Sequence, residues 1–128
     1  MAQKYIEKPL LYKGRKFDIR VWVIVTSNID IFMFKHGYLR TSSFDYDMEN
    51  ENNYVHLTNN CLQQQGNNYG VHEEGNTLSF EVFQTYLEQE FPEYNINVRK
   101  HFIPRMHDLI IDTILSSKKQ FLACFREN

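Results

Sequence analysis

The sequence is poor in cysteine, proline, glycine and tryptophan. Its 128 residues include two cysteines, three prolines, five glycines and one tryptophan. Two cysteines, Cys61 and Cys124, are too few for a disulfide framework or a four-ligand zinc site, and we expect reduced, partly buried thiols in a cytosolic protein. No apolar run approaches the roughly 18 residues of a membrane span, and the N-terminus lacks the apolar core of a signal peptide.

Positive charge is missing from the middle of the chain. No Lys or Arg lies between Arg40 and Arg99, a stretch that holds ten Asp and Glu residues, whereas residues 1–20 hold six Lys and Arg. The net charge of -2 argues against nucleic-acid binding by the chain as a whole. An anionic ligand is therefore expected near the first strands, unless the clustering reflects only solvated surfaces.

Alternating patterns predict an antiparallel strand meander at the start of the chain. A short first strand is expected within residues 3–12, followed by a turn at Lys13 and Gly14. The clearest strand pattern covers 16–26, because β-branched and aromatic residues dominate it. A tight turn at Ser27 and Asn28 then leads to predicted strands over 29–35 and 38–42.

Helical patterns dominate the second half and make the fold class α+β, with the meander packed by two helices. Ser79 is expected to cap a first helix that ends before Pro92, and Pro104 to lie in the first turn of a second. Residues 121–125 predict the beginning of a further strand. Between meander and helices, residues 43–77 predict a long polar loop with one ordered island at 54–61.

Familiar catalytic motifs are absent. There is no glycine-rich phosphate loop, no nucleophile elbow and no helical His-Glu zinc motif. The acidic run from Asp45 to Glu51 lacks the glycine and the terminal glutamate of a calcium loop, so it predicts a solvated loop and no metal ligands. His56 stands alone and, on pattern alone, reads as a structural histidine.

One strand carries a row of charges. Lys16, Asp18 and Arg20 share a face of the predicted strand because alternate residues point the same way, and Arg40 emerges nearby from the third strand. The planar guanidinium of Arg binds carboxylate or phosphate at two points, and Lys is a compact cation for phosphate. The row is therefore either a solvated sheet surface or an anion-binding face.

Several segments together resemble the tubulin-tyrosine ligase family, which comprises ATP-dependent amino-acid ligases with an ATP-grasp fold. In chain order they are QKYIEKPLLYKGRKFDIRVWVIVT, GYLRTSS, VHLTNNCLQQ, NYG and EEGN. The resemblance runs from Gln3 to about Leu87 and continues more weakly through the second helix. LRTSS, HLTNNC and the NYG…EEGN tail are more similar to the tyrosine ligase itself than to the glutamylase or glycylase branches.

The resemblance implies a role for each matching residue. Arg20 matches an arginine that holds the acidic tail of the acceptor, and Arg40 one that faces the terminal phosphates and the acceptor carboxylate. Lys16 and Arg40 are the implied catalytic residues. The implied nucleotide-binding residues are Gln3, Lys4, Tyr5, Ile6, Lys16, Asp18, His56, Leu57, Thr58 and Asn59.

The implied reaction uses ATP and Mg²⁺. A tubulin carboxylate attacks the γ-phosphate to give an acyl phosphate, and the amino group of a free amino acid, tyrosine in the first instance, displaces the phosphate. Catalysis of such transfers is mainly positioning and cationic stabilisation. The implied partners are the acidic C-terminal tail of tubulin and a free amino acid, without nucleic acid or membrane. The implied location is the cytoplasm, at the microtubule cytoskeleton or the cilium.

The family's magnesium ligands lie on strands that follow the second helix. We therefore expect residues 1–128 to be the central segment of the ATP-grasp domain, without its N-terminal domain and its metal-binding strands, and inactive alone. Three alternatives stay open. They are a tubulin glycylase or glutamylase of the same family, a catalytically inactive module that binds nucleotide or a tubulin tail, and an α+β domain without a ligand.

Overall fold

The computed structural model describes residues 3–126, and the side chains of all of these except positions 121 and 124–126. The chain divides into two compact units, Met1–Arg20 with Gly37–Tyr86 and Val21–His36 with Leu87–Asn128. The strands are β1 (Leu11–Tyr12), β2 (Arg15–Arg20), β3 (Val23–Val25), β4 (Ile31–Met33), β5 (Tyr38–Asp45) and β6 (Thr77–Ser79). The α-helices are α1 (Asn53–His56), α2 (Asn60–Gln63), α3 (Phe80–Glu90), α4 (Ile103–Ser116) and α5 (Lys118–Arg126).

The first unit contains a four-stranded antiparallel sheet in the order β1-β2-β5-β6. Its first connection is the predicted turn, in which Lys13 and Gly14 both have positive φ, 48° and 77°. Two consecutive residues of this kind make a turn whose twist suits adjacent antiparallel strands, and glycine adopts the conformation at little cost.

The core of the first unit lies between this sheet and α3. Leu39 of β5 is paired with Leu78 of β6, and both are buried. Phe83 of α3 is fully buried and meets the Phe17 ring edge-on, with 5.0 Å between centroids. Tyr12 of β1 lies 6.4 Å from the same Phe83 ring. The helix thus covers the apolar face of the sheet.

The antiparallel α+β architecture is confirmed, but the strand order differs from a simple meander. The expected strand over 16–26 ends at Arg20, and β2 pairs directly with β5. The intervening β3 and β4 pair only with each other, as a separate two-stranded sheet in the second unit. Val23 and Ile24 are exposed, so the predicted buried face does not continue past β2. The reason is that β5 occupies the edge of β2 and leaves residues 21–36 to fold back on themselves.

The N-terminal strand is also shorter than predicted. Residues 3–10 form no strand, and of the predicted strand only Leu11 and Tyr12 pair with β2. Pro9 precedes this short pairing, and proline cannot donate a ladder hydrogen bond. The predicted nucleotide-binding residues Gln3, Lys4, Tyr5 and Ile6 therefore lie outside any strand.

Local signals located the first two long helices correctly. The Ser79 hydroxyl accepts a hydrogen bond from the Val82 amide at 3.3 Å, which caps α3 as expected. Pro104 lies in the first turn of α4, where its missing N–H costs little. The strand predicted at 121–125 is wrong, because this backbone belongs to α5. Its run of good helix formers outweighs a short apolar pattern that fits either state.

Residues 43–77 are more ordered than a long loop. β5 extends to Asp45, and the segment contains α1, α2 and a 3₁₀ turn at Glu74–Asn76. Val55, Gln63 and Asn76 are buried there. The polar composition concealed this order because four of the five buried side chains, those of Ser43, Thr58, Gln63 and Asn76, are hydroxyls or amides. No helix among the described residues is long and apolar enough to cross a membrane.

Phe83 tests this account of the core. Replacing Phe83 by Ala removes the ring that α3 places against the sheet, and we expect a loss of roughly 3–5 kcal/mol in the free energy of unfolding. Denaturant titration followed by circular dichroism measures it. The neighbouring Val82→Ala is the control, because Val82 is exposed and should change the value by less than about 0.5 kcal/mol. Equal effects of the two changes would contradict the packing described.

Candidate functional site

Asp18 and Arg40 meet because they face each other in neighbouring strands. Asp18 of β2 is the register partner of Arg40 of β5. The Arg40 Nε donates to Asp18 Oδ1 at 2.8 Å, and its Nη2 donates to Oδ2 at 2.6 Å. The hydrogen bond to Asp18 raises the pKa of the Arg40 guanidinium, against the lowering effect of partial burial. This two-point ion pair fixes the plane and direction of the guanidinium.

Asp18 also holds the segment that follows α1. The buried Thr58 donates its hydroxyl to Asp18 Oδ2 at 2.8 Å. The Asp18 carboxylate therefore accepts three hydrogen bonds, two from Arg40 and one from Thr58. One carboxylate thus joins β2, β5 and the loop after α1.

Lys16 is held by an aromatic side chain from the N-terminal segment. Its Nζ donates to the Tyr5 hydroxyl at 2.9 Å and lies 4.3 Å from the centre of the Tyr5 ring. A cation near a ring face is attracted by the ring's electron density, which adds to the hydrogen bond. The ammonium group of Lys16 is thereby given a preferred position although it stands near the surface.

The Tyr5 hydroxyl connects Lys16 to His56. It lies 2.7 Å from His56 Nδ1, while His56 Nε2 contacts the carbonyl oxygen of Asn50. A carbonyl can only accept, so His56 Nε2 donates to Asn50. Lys16 donates to the Tyr5 hydroxyl, and that hydroxyl is hydrogen-bonded to His56 Nδ1.

The predicted nucleotide segment 56–59 is where these groups converge. Lys16 is linked to His56 of this segment through the Tyr5 hydroxyl. The Asp18–Arg40 pair is linked to the segment through the Thr58 hydroxyl. The structure therefore places three of the four predicted charged residues around one short segment. The fourth, Arg20, is exposed at the end of β2, opposite Tyr38.

The remaining predicted nucleotide-binding residues are less constrained. Gln3, Lys4 and Ile6 are exposed in the N-terminal segment, which forms no strand. The Leu57 side chain is also exposed. Asn59 has a structural task, because its side chain accepts from the Cys61 amide at 2.9 Å and caps α2. The Cys61 thiol is exposed, contrary to the partly buried thiol expected, and Cys124 lies outside the described side chains.

Sequence reasoning missed a buried ion pair beside this site. Arg15 is only 2% exposed, and its guanidinium contacts both carboxylate oxygens of Glu73, with Nη1 2.9 Å from Oε2. Arg15 Nη1 also donates to the Ser42 carbonyl at 3.1 Å, and Thr41 donates its hydroxyl to Glu73 at 2.9 Å. These bonds offset the large cost of removing both charges from water.

Asn76 extends this network from the end of the same loop. Its Nδ2 donates to the Thr41 carbonyl at 3.1 Å and to the Ser43 hydroxyl at 2.8 Å, and its Oδ1 accepts from the Gly70 amide at 2.7 Å. No buried side-chain nitrogen or oxygen in the described part of the chain lacks a hydrogen-bond partner. The LRTSS and EEGN motifs are therefore held to each other by their own side chains.

The signal for the ion pair was present in the strand pattern. Arg15 is two residues before Phe17 and four before Ile19, so it lies on the inward face of β2. A guanidinium on an inward face needs a carboxylate. What the pattern could not supply is the identity of that carboxylate, since Glu73 lies 58 residues along the chain.

Comparison with known proteins agrees with the motifs. The chain matches the tubulin-tyrosine ligase family over residues 1–127. It belongs to that family. The α+β architecture described above is consistent with part of an ATP-grasp-like domain.

Individual relatives add detail. The chain is 38% identical over 125 residues to tubulin glycylase 3C of Tetrahymena thermophila, covering 93% of this chain and 11% of that protein. It is 34% identical over 125 residues to tubulin glycylase 3A of Drosophila melanogaster, covering 93% and 12%. It is 30% identical over 132 residues to tubulin polyglutamylase TTLL7 of Homo sapiens, covering 98% and 15%. The chain thus spans between 11 and 15% of the length of these three proteins.

The donor set suits an anion better than a metal. Lys16 and Arg40 present N–H donors, which fit phosphate or carboxylate oxygens. Among the described residues, no cluster of three or more His, Cys, Asp or Glu side chains could hold a metal ion.

The acid dependence of stability tests the ion pair of Arg15 and Glu73. Burial raises the pKa of Glu73, but hydrogen bonds from Arg15 and Thr41 and the charge of Arg15 lower it more, to a net value below the ordinary 4.5. The stabilisation that ionised Glu73 contributes is therefore fully present above about pH 4.5, the ordinary pKa of the group. It is lost as the pH falls through the lower pKa that Glu73 has in the folded protein. Urea unfolding of the wild type between about pH 5 and pH 3 should show this loss.

Glu73→Gln should flatten that acid dependence and lower the unfolding free energy at neutral pH by roughly 3–5 kcal/mol, because Arg15 stays buried without its counter-charge. The exposed neighbour provides a matched control, Glu74→Gln. The ion-pair account is wrong if both variants keep the wild-type acid profile.

Proposed function

We propose that this chain carries part of the substrate-binding region of an ATP-dependent ligase that joins an amino acid to a carboxylate of tubulin. Membership of the tubulin-tyrosine ligase family supports this proposal. The observation that carries it is the Asp18–Arg40 ion pair beside Lys16. Two cations oriented by fixed partners around one segment suit the phosphates of a nucleotide and an acceptor carboxylate.

Glycine is the amino acid that we propose, in place of the tyrosine expected from the motifs. Relatives that match more than nine-tenths of this chain are named glycylases, at 38% and 34% identity. A relative named a polyglutamylase matches the same region at 30% identity, which makes glutamate the second candidate. Tyrosine has no support from these relatives.

The proposed roles follow from the geometry. Lys16 directs its ammonium N–H groups at a phosphate while Tyr5 limits its motion. Arg40 binds Asp18 through Nε and Nη2. Its Nη1 is proposed to donate to an incoming phosphate or carboxylate. Arg20, exposed at the end of β2, is proposed to hold the acidic C-terminal tail of tubulin. ATP, when bound with Mg²⁺, supplies the phosphoryl group that activates the carboxylate toward the amine of the free amino acid.

The proposal extends to the whole protein and its setting. The 128 residues are proposed to be the central segment of the ATP-grasp domain, with magnesium ligands on other strands. Microtubules or cilia in the cytoplasm are the proposed location, since that is where tubulin is found.

The amino acid can be identified directly. The full-length native protein is incubated with purified tubulin, ATP and Mg²⁺ and with labelled glycine, glutamate or tyrosine in parallel. We expect glycine to be incorporated into tubulin, and incorporation to require ATP. Labelling by glutamate or tyrosine alone would replace glycine in the proposal. No ATP-dependent labelling by any of the three would reject the ligase function.

The roles of Lys16 and Arg40 are tested by substitution. Lys16→Ala and Arg40→Ala should each lower the ligation rate by roughly 100-fold, the usual cost of removing one fixed donor from a transition-state site. Arg40→Lys should recover little, because Lys cannot make the two-point contact with Asp18. Lys8→Ala is the control, since Lys8 is exposed on the N-terminal segment. A wild-type rate in Arg40→Ala would remove Arg40 from the site.

A further inference from the structure

We infer that Gln63 is the positioning residue of segment 56–59, which it fixes against β5 without touching substrate. The inference rests on the proposed function, because that function makes the segment part of the nucleotide site. Gln63 ends α2, and its side chain is completely buried. A buried carboxamide has to satisfy both of its polar atoms from the protein, so its partners are fixed.

The Gln63 carboxamide joins two elements. On one side its Oε1 accepts from the Ser43 amide at 3.0 Å and from the Ser43 hydroxyl at 2.6 Å, both on β5. On the other side its Nε2 donates to the Tyr54 carbonyl at 3.1 Å and to the Leu57 carbonyl. A flipped amide would set a donor against the Ser43 amide and an acceptor against two carbonyls. Only one orientation therefore satisfies all four bonds.

Those two carbonyls lie on either side of His56 in the chain. His56 is bonded to the Tyr5 hydroxyl, which also accepts from Lys16. Thr58, next after Leu57, is bonded to Asp18. Gln63 thus anchors the backbone of the segment whose side chains meet the partners of Lys16 and of Arg40. Its influence on the site passes through the position of this backbone.

A second amide fixes the direction of these bonds. Asn76 Nδ2 donates to the Ser43 hydroxyl at 2.8 Å, so the Ser43 proton is directed to Gln63 Oε1. The chain of donation runs from Asn76 through Ser43 to Gln63 and on to the backbone of segment 56–59. A Gln63 side chain without its Nε2 donors would interrupt this chain, and the part-buried carbonyls of Tyr54 and Leu57 would lose their partner.

The test compares two variants of Gln63 in the full-length protein. Gln63→Glu keeps the volume but sets an oxygen against the Tyr54 and Leu57 carbonyls. Gln63→Met keeps the length, brings no charge into the interior and removes all four bonds, so it serves if the first variant fails to fold. Phe83→Leu is the control, since it weakens the core of the same unit away from the segment.

The first measurement is amide hydrogen exchange over residues 54–59 without nucleotide. We expect residues 54–59 to exchange at least about tenfold faster in the Gln63 variants. In Phe83→Leu, exchange over 54–59 should increase no more than exchange in the rest of the first unit. The second is ATP affinity in the presence of Mg²⁺, which should weaken by about tenfold in the Gln63 variants alone.

The two measurements separate the inference from the proposed function. If the wild type binds no ATP, the proposed function fails, and the exchange result still decides whether Gln63 positions the segment. Unchanged exchange over 54–59 in both Gln63 variants overturns the inference. An equal loss of protection in Phe83→Leu overturns it as well, because the effect would then belong to general destabilisation.

Discussion

The burial of the Arg15 guanidinium is the constraint on which the first unit depends. A charge so removed from water is tolerated only with a counter-charge and well-placed hydrogen bonds. Glu73, Thr41 and the Ser42 carbonyl supply them. Since Glu73 comes from a distant loop, satisfying Arg15 closes that loop onto the centre of the sheet. The strands, the loop and the short helices between them are thereby committed to one arrangement.

The motifs that identify the family owe much of their character to this arrangement. Thr41 and Ser43 belong to LRTSS, Glu73 and Asn76 to the EEGN tail, and Gln63 to the segment after HLTNN. All five are buried or nearly so, and they bond to one another or to backbone. The resemblance therefore detects the frame of the site as well as its cationic residues.

Sequence reasoning succeeded where structure is set by neighbours along the chain. The Lys13–Gly14 turn, the Ser79 cap and the first-turn Pro104 are all specified within a few residues, and all are present. It failed where a distant partner decides. Whether residues 16–26 form one strand depends on which strand pairs beyond Arg20, and that partner, β5, lies after an inserted hairpin. The strand pattern predicted that Arg40 lies near the face of Asp18, whereas the direct Asp18–Arg40 pairing and the partners of Arg15 and Gln63 required the folded chain.

Asp18 shows how position and chemistry combine in this site. The resemblance treats Asp18 as a nucleotide contact, yet in the structure its carboxylate accepts from Arg40 at two points and from Thr58 at a third. These bonds orient a guanidinium that would otherwise swing freely on a long side chain, and preorganised charge stabilises a transition state better than mobile charge. In the proposed site, Asp18 therefore acts on an anionic ligand through Arg40, just as Gln63 acts through the backbone of segment 56–59. In both cases a buried or half-buried polar group sets the position of the group that is proposed to meet substrate.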